Sequence, residues 1–303
     1  MLINRFILFF AIALPVFLAP PLSAAEEVRI KNSGMTLNAR LTLANGKTLK
    51  DGVVLMVHGT LAHNEMDTIR NLNAVLVERG MNTLAINLSL GIDDRHGPYD
   101  CAVTHRHRHD DAIAEITAWM AWLHGRGSGP VVLFGHSRGG NQTAQYAANK
   151  PDPLLKRLVL MAPATWDRGR AAKNFEKRQK MPLAGALTKA RSLVKSGRGD
   201  DVMSSAGLLY CTDADATANS FLGYYEPDLR FDTPTVLKQI AVPTLVVAAG
   251  KDTVIRGLPE MVKPQADGKR LHFAVVDDAG HFFLDLYAED VADLMEEFLG
   301  IGS

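Results

Sequence analysis

Hydrophobic residues fall into two alternating patterns along this chain. Short unbroken apolar runs at 53–57, 131–134 and 158–161 fit strands covered on both faces, and residues 242–248 resume the sheet further on. Between them, residues 67–79 carry Ile69, Leu72, Val75 and Leu76 at helical spacing, and residues 110–124 carry Ile113, Ile116, Met120 and Leu123. Residues 283–299 predict a last helix after a strand at 272–276. Near the start, Val28 to Lys31 predicts a strand. In the next, Met35, Leu37, Ala39, Leu41 and Leu43 alternate with Thr36, Asn38, Arg40 and Thr42, so the first set should be buried and the second should face water. Asn45-Gly46 is a turn signal, and residues 82–88 predict one more strand. Strands alternating with helices imply an α/β fold, a mostly parallel sheet with helices on both faces. Such sheets bind ligands beyond the carboxyl ends of their strands.

Three stretches depart from that rhythm. Residues 6–19 are almost wholly apolar, follow Arg5, and lead through Pro20-Pro21-Leu22-Ser23-Ala24-Ala25 to Glu26-Glu27. This layout predicts a signal peptide over residues 1–25, cleaved after Ala25. The run is shorter than the ~20 residues that span a bilayer, and Pro15 interrupts it, so no membrane anchor is expected to remain after cleavage. The chain is then expected to be exported, to a periplasm or outside the cell. Residues 89–109 form a long irregular connection with four histidines, and such loops inside compact domains tend to be functional. From 164 to 235 an Arg/Lys-rich helical stretch gives way to small polar residues and then to Phe221-Leu222-Gly223-Tyr224-Tyr225. This predicts an inserted, mainly helical lid (164–235) over one core domain built from 26–163 and 236–303.

Composition narrows the function. The chain has 303 residues, 47% hydrophobic, with a formal net charge of zero, so it lacks an electrostatic footprint for nucleic acid. Its two cysteines, Cys101 and Cys211, form no Cys-x-x-Cys motif, so neither a zinc nor a redox site is expected. In an oxidising compartment they can form one disulfide or remain two buried thiols.

The candidate chemistry centres on Gly135-His136-Ser137-Arg138-Gly139. An apolar strand precedes it and a helix, read from Gln142 to Asn149, follows. This is the setting in which a serine sits on a sharp turn with its hydroxyl exposed, and a side chain at either glycine would crowd that turn. A serine hydroxyl is a weak nucleophile at neutral pH. It needs a base in contact, and the base needs a third group to fix its tautomer. Asp252 follows the strand ending at Ala249, and His281 follows the last strand. Ser137, Asp252, His281 is the chain order expected for a serine nucleophile on such a sheet. Asp277, Asp278 and Asp167 are the rival acids.

With these motifs the chain resembles the α/β-hydrolase superfamily over nearly all its length after residue 25. Gly135-His136-Ser137-Arg138-Gly139 is similar to the superfamily's elbow, Gly250-Lys251-Asp252 to its acid turn, Ala279-Gly280-His281 to its histidine turn and His58-Gly59-Thr60 to its oxyanion loop. The resemblance implies Ser137 as nucleophile, His281 as general base and then acid, and Asp252 as the group orienting His281. It also implies an oxyanion hole from the backbone N–H groups of Thr60 and Arg138. His58 is expected to shape its loop, and the side chains of His136 and Arg138 to be exposed or packed.

The implied activity is a serine hydrolase, carboxylesterase-like, acting on a small-molecule acyl substrate through an acyl-enzyme, with no cofactor. Amide, thioester or C–C bond hydrolysis and a non-catalytic binding protein of the same fold are the alternatives. His105, His107 and His109 raise a metal site, but no zincin pattern is present, and a solvated loop entering a helix is the expectation. The basic charge of the lid hints at a polar or acidic substrate, against a default of a solvated helix face.

Overall fold

The structure, a computed structural model, describes residues 25–149 and 152–301. The expected signal peptide falls outside the described residues except for Ala25, which opens the first strand. In chain order the elements are β1 (Ala25–Asn32), β2 (Met35–Thr42), β3 (Val53–Val57), α1 (Asp67–Glu78), β4 (Thr83–Ile86), α2 (His109–Gly125), β5 (Val131–His136), α3 (Arg138–Asn149) and β6 (Leu155–Met161). The insertion follows, with α4 (Arg168–Gln179), α5 (Leu183–Lys195), β7 (Val202–Met203), β8 (Ala216–Thr217), α6 (Ala218–Tyr225) and α7 (Thr233–Val236). The chain then returns through β9 (Thr244–Ala249), α8 (Leu258–Val262), β10 (Leu271–Val276) and α9 (Tyr287–Leu299). Among the described residues, no helix is long and apolar enough to cross a membrane.

Eight strands form one sheet in the order β1-β2-β4-β3-β5-β6-β9-β10. β2 runs antiparallel to β1 and β4, and every pairing from β4 to β10 is parallel. The carboxyl ends of β3, β5, β9 and β10 therefore share one rim. Alternate residues of β3 explain why its apolar run is continuous: Val53, Leu55 and Val57 pack with α2 and α3 residues such as Trp119 and Tyr146, while Val54 and Met56 pack with Ile69, Leu76 and Met295 of α1 and α9 on the opposite face. Each such side chain removed from water contributes about 1.5–3 kcal/mol.

Two expectations fail in instructive ways. Asn38 and Thr42 of β2 are buried, not solvated. The connection after β4 folds over this strand, and Asn38 Nδ2 donates to Asp94 Oδ1 and the Arg95 carbonyl, both at 2.9 Å. The last helix starts at Tyr287 instead of 283, because Phe283 and Asp285 take left-handed backbone conformations that no helix accommodates.

The insertion between β6 and β9 has its own apolar cluster, including Phe175, Leu187, Met203 and Phe221. It is fastened to the core along its length as well as at its ends. Cys101 and Cys211 are bonded, S–S 1.93 Å. His105 pairs with the insertion as a strand would, its N–H reaching the Asp215 carbonyl at 2.8 Å and its carbonyl accepting from Thr217 at 3.0 Å.

Candidate active site

β5 ends in Gly135-His136, and α3 begins at Arg138 with no spacer beyond Ser137. Reversal within one residue forces Ser137 to φ 55°, a strain of order 1–3 kcal/mol for a non-glycine residue. Surrounding hydrogen bonds enforce it. The Ser137 N–H reaches the Met161 carbonyl at 3.0 Å, and the Ser137 carbonyl accepts from Ala164 at 2.9 Å. A Cβ on Gly135 would stand 2.6 Å from the Gly139 carbonyl oxygen, and one on Gly139 would stand 2.7 Å from that of Val57. Side chains at both positions are excluded by backbone that cannot yield. α3 starts four residues earlier than the pattern at Gln142 predicts, because its first turn is the glycine pair itself.

The parallel sheet brings the other two residues to this turn. Ser137 Oγ lies 3.0 Å from His281 Nε2, and His281 Nδ1 lies 2.8 Å from Asp252 Oδ2. All three are buried or nearly so. Asp252 Oδ1 accepts from the N–H groups of Val254 at 2.7 Å and Ile255 at 2.8 Å. Burial pushes the Asp252 carboxyl up, but the His281 hydrogen bond and the two N–H groups together hold it below the usual carboxylate value. An ionised carboxylate can only accept, so Nδ1 of His281 carries its proton and Nε2 is left to accept the Ser137 hydroxyl. Such an arrangement can draw a proton from that hydroxyl. Two of the rival acids are occupied elsewhere, Asp278 with Lys251 Nζ at 2.7 Å and Asp167 as the cap of α4, and the third, Asp277, is exposed.

The Thr60 loop leaves β3 beside the serine, so close that a Cβ on Gly59 would stand 3.3 Å from Ser137 Cβ. The N–H groups of Thr60 and Arg138 have no hydrogen-bond acceptor among the described residues, which leaves both donors free at the serine. His58 shapes this loop. Its Nδ1 donates to the Gly59 carbonyl at 2.9 Å, and its Nε2 accepts from Leu88 N–H and Arg95 Nη2, both at 3.1 Å. Burial and the Arg95 charge hold His58 neutral, well below its ordinary pKa.

Sequence reasoning missed Arg95 and left His136 between an exposed and a packed role. Arg95 is buried and also donates to the carbonyls of Leu88 and Ala62, both at 2.8 Å, so it ties the β4 connection to the Thr60 loop. Burial lowers its pKa to about 10. Nothing marks Arg95 in the sequence, since it lies in an irregular stretch. His136 is buried, the packed one of its two expected placements, and its Nε2 donates to the His281 carbonyl at 2.9 Å. Burial, reinforced by the nearby His281, lowers its pKa to about 3. Its position one residue before the serine was the available signal.

The solvated-loop reading of His105, His107 and His109 is also wrong, because all three are buried. Residues 105–108 are not helical. Their rings pack against Tyr99, Tyr224 and Phe231, where the insertion closes over this connection. They do not gather as a metal-ligand set. Among the described residues Glu27, Asp94 and His96 bring ligand atoms within 4.8 Å of one another. Arg29 and mutual hydrogen bonds already engage them at the opposite edge of the sheet.

Ser137 opens on a cavity of about 410 Å³. Thr60 and Arg138 line it from the core, and Trp166, Phe175 and Tyr224 from the insertion.

Residues 54–294 match the model of the alpha/beta hydrolase family. No curated protein sequence matches the chain. Among solved structures it is similar to Est1E from Butyrivibrio proteoclasticus, with a TM-score of 0.62 and 18% identity over 90% of this chain and 99% of that one. The esterase PF2001 of Pyrococcus furiosus gives 0.61 and 18% over 92% and 91%. A monoacylglycerol lipase of Paleococcus ferrophilus gives 0.58 and 18% over 88% and 98%. At such identities the likeness speaks for the fold. The fold and a family match over most of the chain agree: this protein belongs to the alpha/beta hydrolase family.

Proposed function

We propose that the protein is an exported serine hydrolase that cleaves an ester or related acyl bond through an acyl-enzyme. The observation that carries this reading is the continuous hydrogen-bonded chain from Ser137 Oγ through His281 to Asp252, 3.0 Å and then 2.8 Å, opening on a cavity. The esterase and lipase named among the similar structures agree with it. In this reading His281 Nε2 takes the hydroxyl proton as Ser137 Oγ attacks the acyl carbon. The carbonyl electron pair moves to oxygen, where the N–H groups of Thr60 and Arg138 stabilise it. One such donor is worth about 10²–10³ in rate. The imidazolium, steadied by Asp252, then protonates the leaving oxygen. Water repeats the sequence on the acyl-enzyme and frees the acid and Ser137. The apolar segment before Glu26 supports export, as does the Cys101–Cys211 bond.

A fluorophosphonate probe tests the nucleophile. Stoichiometric labelling, lost in Ser137→Ala, is expected, together with hydrolysis of short 4-nitrophenyl esters. A folded protein that neither labels nor hydrolyses any ester, thioester or amide of a substrate panel would instead be a binding protein of this fold.

A further inference from the structure

The cavity beside Ser137 carries positive charge that its own walls do not balance. Arg138, Arg170 and Arg178 line it, and Asp167 is the one carboxylate among its lining residues. None of the three arginines forms an ion pair among the described residues. Each holds a neutral acceptor instead: Arg138 Nε donates to Thr60 Oγ1 at 3.2 Å, Arg170 Nη2 to Thr165 Oγ1 at 3.0 Å, and Arg178 Nη1 to the Leu209 carbonyl at 3.1 Å. Asp167 Oδ1 accepts the backbone N–H of Arg170. Elsewhere arginines take both forms: Arg79, Arg191 and Arg198 sit against carboxylates, while Arg157 and Arg270 hold backbone carbonyls, so it is the gathering of three around one cavity with a single carboxylate that sets this site apart.

The arrangement follows from α4. Arg170, Asn174 and Arg178 stand at i, i+4 and i+8, a single stripe of the helix, and all three line the cavity. The two arginines are about 12 Å apart along the axis. Arg178 is exposed and lies over the Tyr210 ring, 4.7 Å from its centroid, while Arg170 is half-buried. Arg168, Lys173 and Lys177 of the same helix are exposed and do not line the cavity, so they fit a solvated face. A guanidinium fork matches carboxylate and phosphate oxygens, and partial burial strengthens that attraction.

We propose that the substrate carries an anionic oxygen group, carboxylate or phosphate, remote from the scissile acyl bond, and that Arg170 and Arg178 bind it. This rests on the acyl-transfer reading above.

The test compares matched six-carbon esters on the full chain: 4-nitrophenyl hexanoate, mono-4-nitrophenyl adipate and 4-nitrophenyl 6-ammoniohexanoate. The anionic ester should lead the neutral one in kcat/KM by about 10- to 100-fold, the range of one or two charge-assisted hydrogen bonds, with the cationic ester slowest. In the double variant Arg170→Gln/Arg178→Gln the anionic-to-neutral ratio should collapse, and Arg170→Lys/Arg178→Lys should restore part of it. A 5-phosphonopentanoyl ester ranks a phosphoryl group against the carboxylate. A neutral ester hydrolysed as fast as both anions overturns the proposal and leaves acyl transfer standing, as does a ratio unchanged in the glutamine variant. If no ester is hydrolysed, acyl transfer fails. The anion site is then read from binding of monomethyl and dimethyl adipate to Ser137→Ala. Binding of the anion about tenfold tighter or more supports the site, and equal binding overturns it.

Discussion

Two buried groups of histidines lie in this fold and are held in opposite ways. At the rim of the sheet, both ring nitrogens of His281 are engaged, one by a carboxylate and one by a hydroxyl. Beneath the insertion, neither ring nitrogen of His105 has a hydrogen-bond partner, and Nδ1 of His109 has none. His107 lies between these cases, with Nδ1 at 2.8 Å from the Tyr224 hydroxyl and Nε2 3.5 Å from Glu115. Burial is common to both groups, so burial does not distinguish them. The partners do. A carboxylate beside an imidazole favours the cation that forms in proton transfer, whereas a cage of aromatic rings keeps the imidazole neutral and makes it a packing residue.

The sharpest way to break that distinction is to delete an imidazole at the rim. His281→Ala should lower kcat by about 10⁶-fold, as removal of the base does in serine proteases, while the unfolding midpoint moves little. Steady-state kinetics beside a thermal melt would check it, and a loss below tenfold would remove the rim network from the chemistry. Asp252→Asn should come next, at about 10⁴-fold. The amide can offer an N–H where the carboxylate only accepts, so the imidazole turns its lone pair to the wrong side. Near-normal turnover in this variant would mean that another carboxylate serves His281.

The second region differs also in how it is fastened. Cys101 stands four residues before His105, and Cys211 five before Ala216, the residue bridged to His105. The bond therefore ties down the histidine cage, while the rim relies on the sheet. Cys101→Ser/Cys211→Ser should lower stability by about 2–4 kcal/mol, read from the denaturant midpoint. Hydrogen exchange should rise first around residues 103–107 and 211–217, with the amides of β5 and β9 unchanged. Equal protection loss in both places would mean that the two regions unfold as one.

The rim was legible in the sequence because its parts sit at fixed places. Ser137, Asp252 and His281 each follow an apolar run, and parallel strands must deliver their carboxyl ends to one edge. The cage was not legible. His105, His107 and His109 alternate with Arg106 and Arg108 in an irregular stretch, a pattern that reads as polar and solvated. What buries them is Tyr224 and Phe231, more than a hundred residues downstream. Asn38 was misread for the same reason, since the loop that covers it returns from residues 93–95. Periodicity reports the face of an element but not what later folds over it. Arg170 and Arg178 show the converse: their spacing was visible, but only the placement of α4 reveals that their stripe faces the cavity.

The smallest expected effect is the most discriminating. His105→Phe keeps a ring against Tyr99 and Tyr224, whose centroids lie at 5.0 and 5.4 Å, and removes two unpartnered nitrogens. Deleting buried polar atoms that lack partners is close to neutral or stabilising, while the larger ring adds strain, so at pH 7.5 stability should shift by less than about 1.5 kcal/mol. Acid should expose the difference. Burial, with the neighbouring His107, lowers the His105 pKa to about 3, whereas an unfolded imidazole titrates near 6.5. Between those values the unfolded chain binds the additional proton, so stability falls as pH falls, by about 1.4 kcal/mol per unit for one such group. The loss levels off below about pH 3. His105→Phe removes that share of the slope, and a comparison of urea midpoints at pH 7.5 and 4.5 should find the variant less acid-sensitive than the parent. An unchanged slope would place a compensating charge beside His105 and return the cage to the same class as the rim.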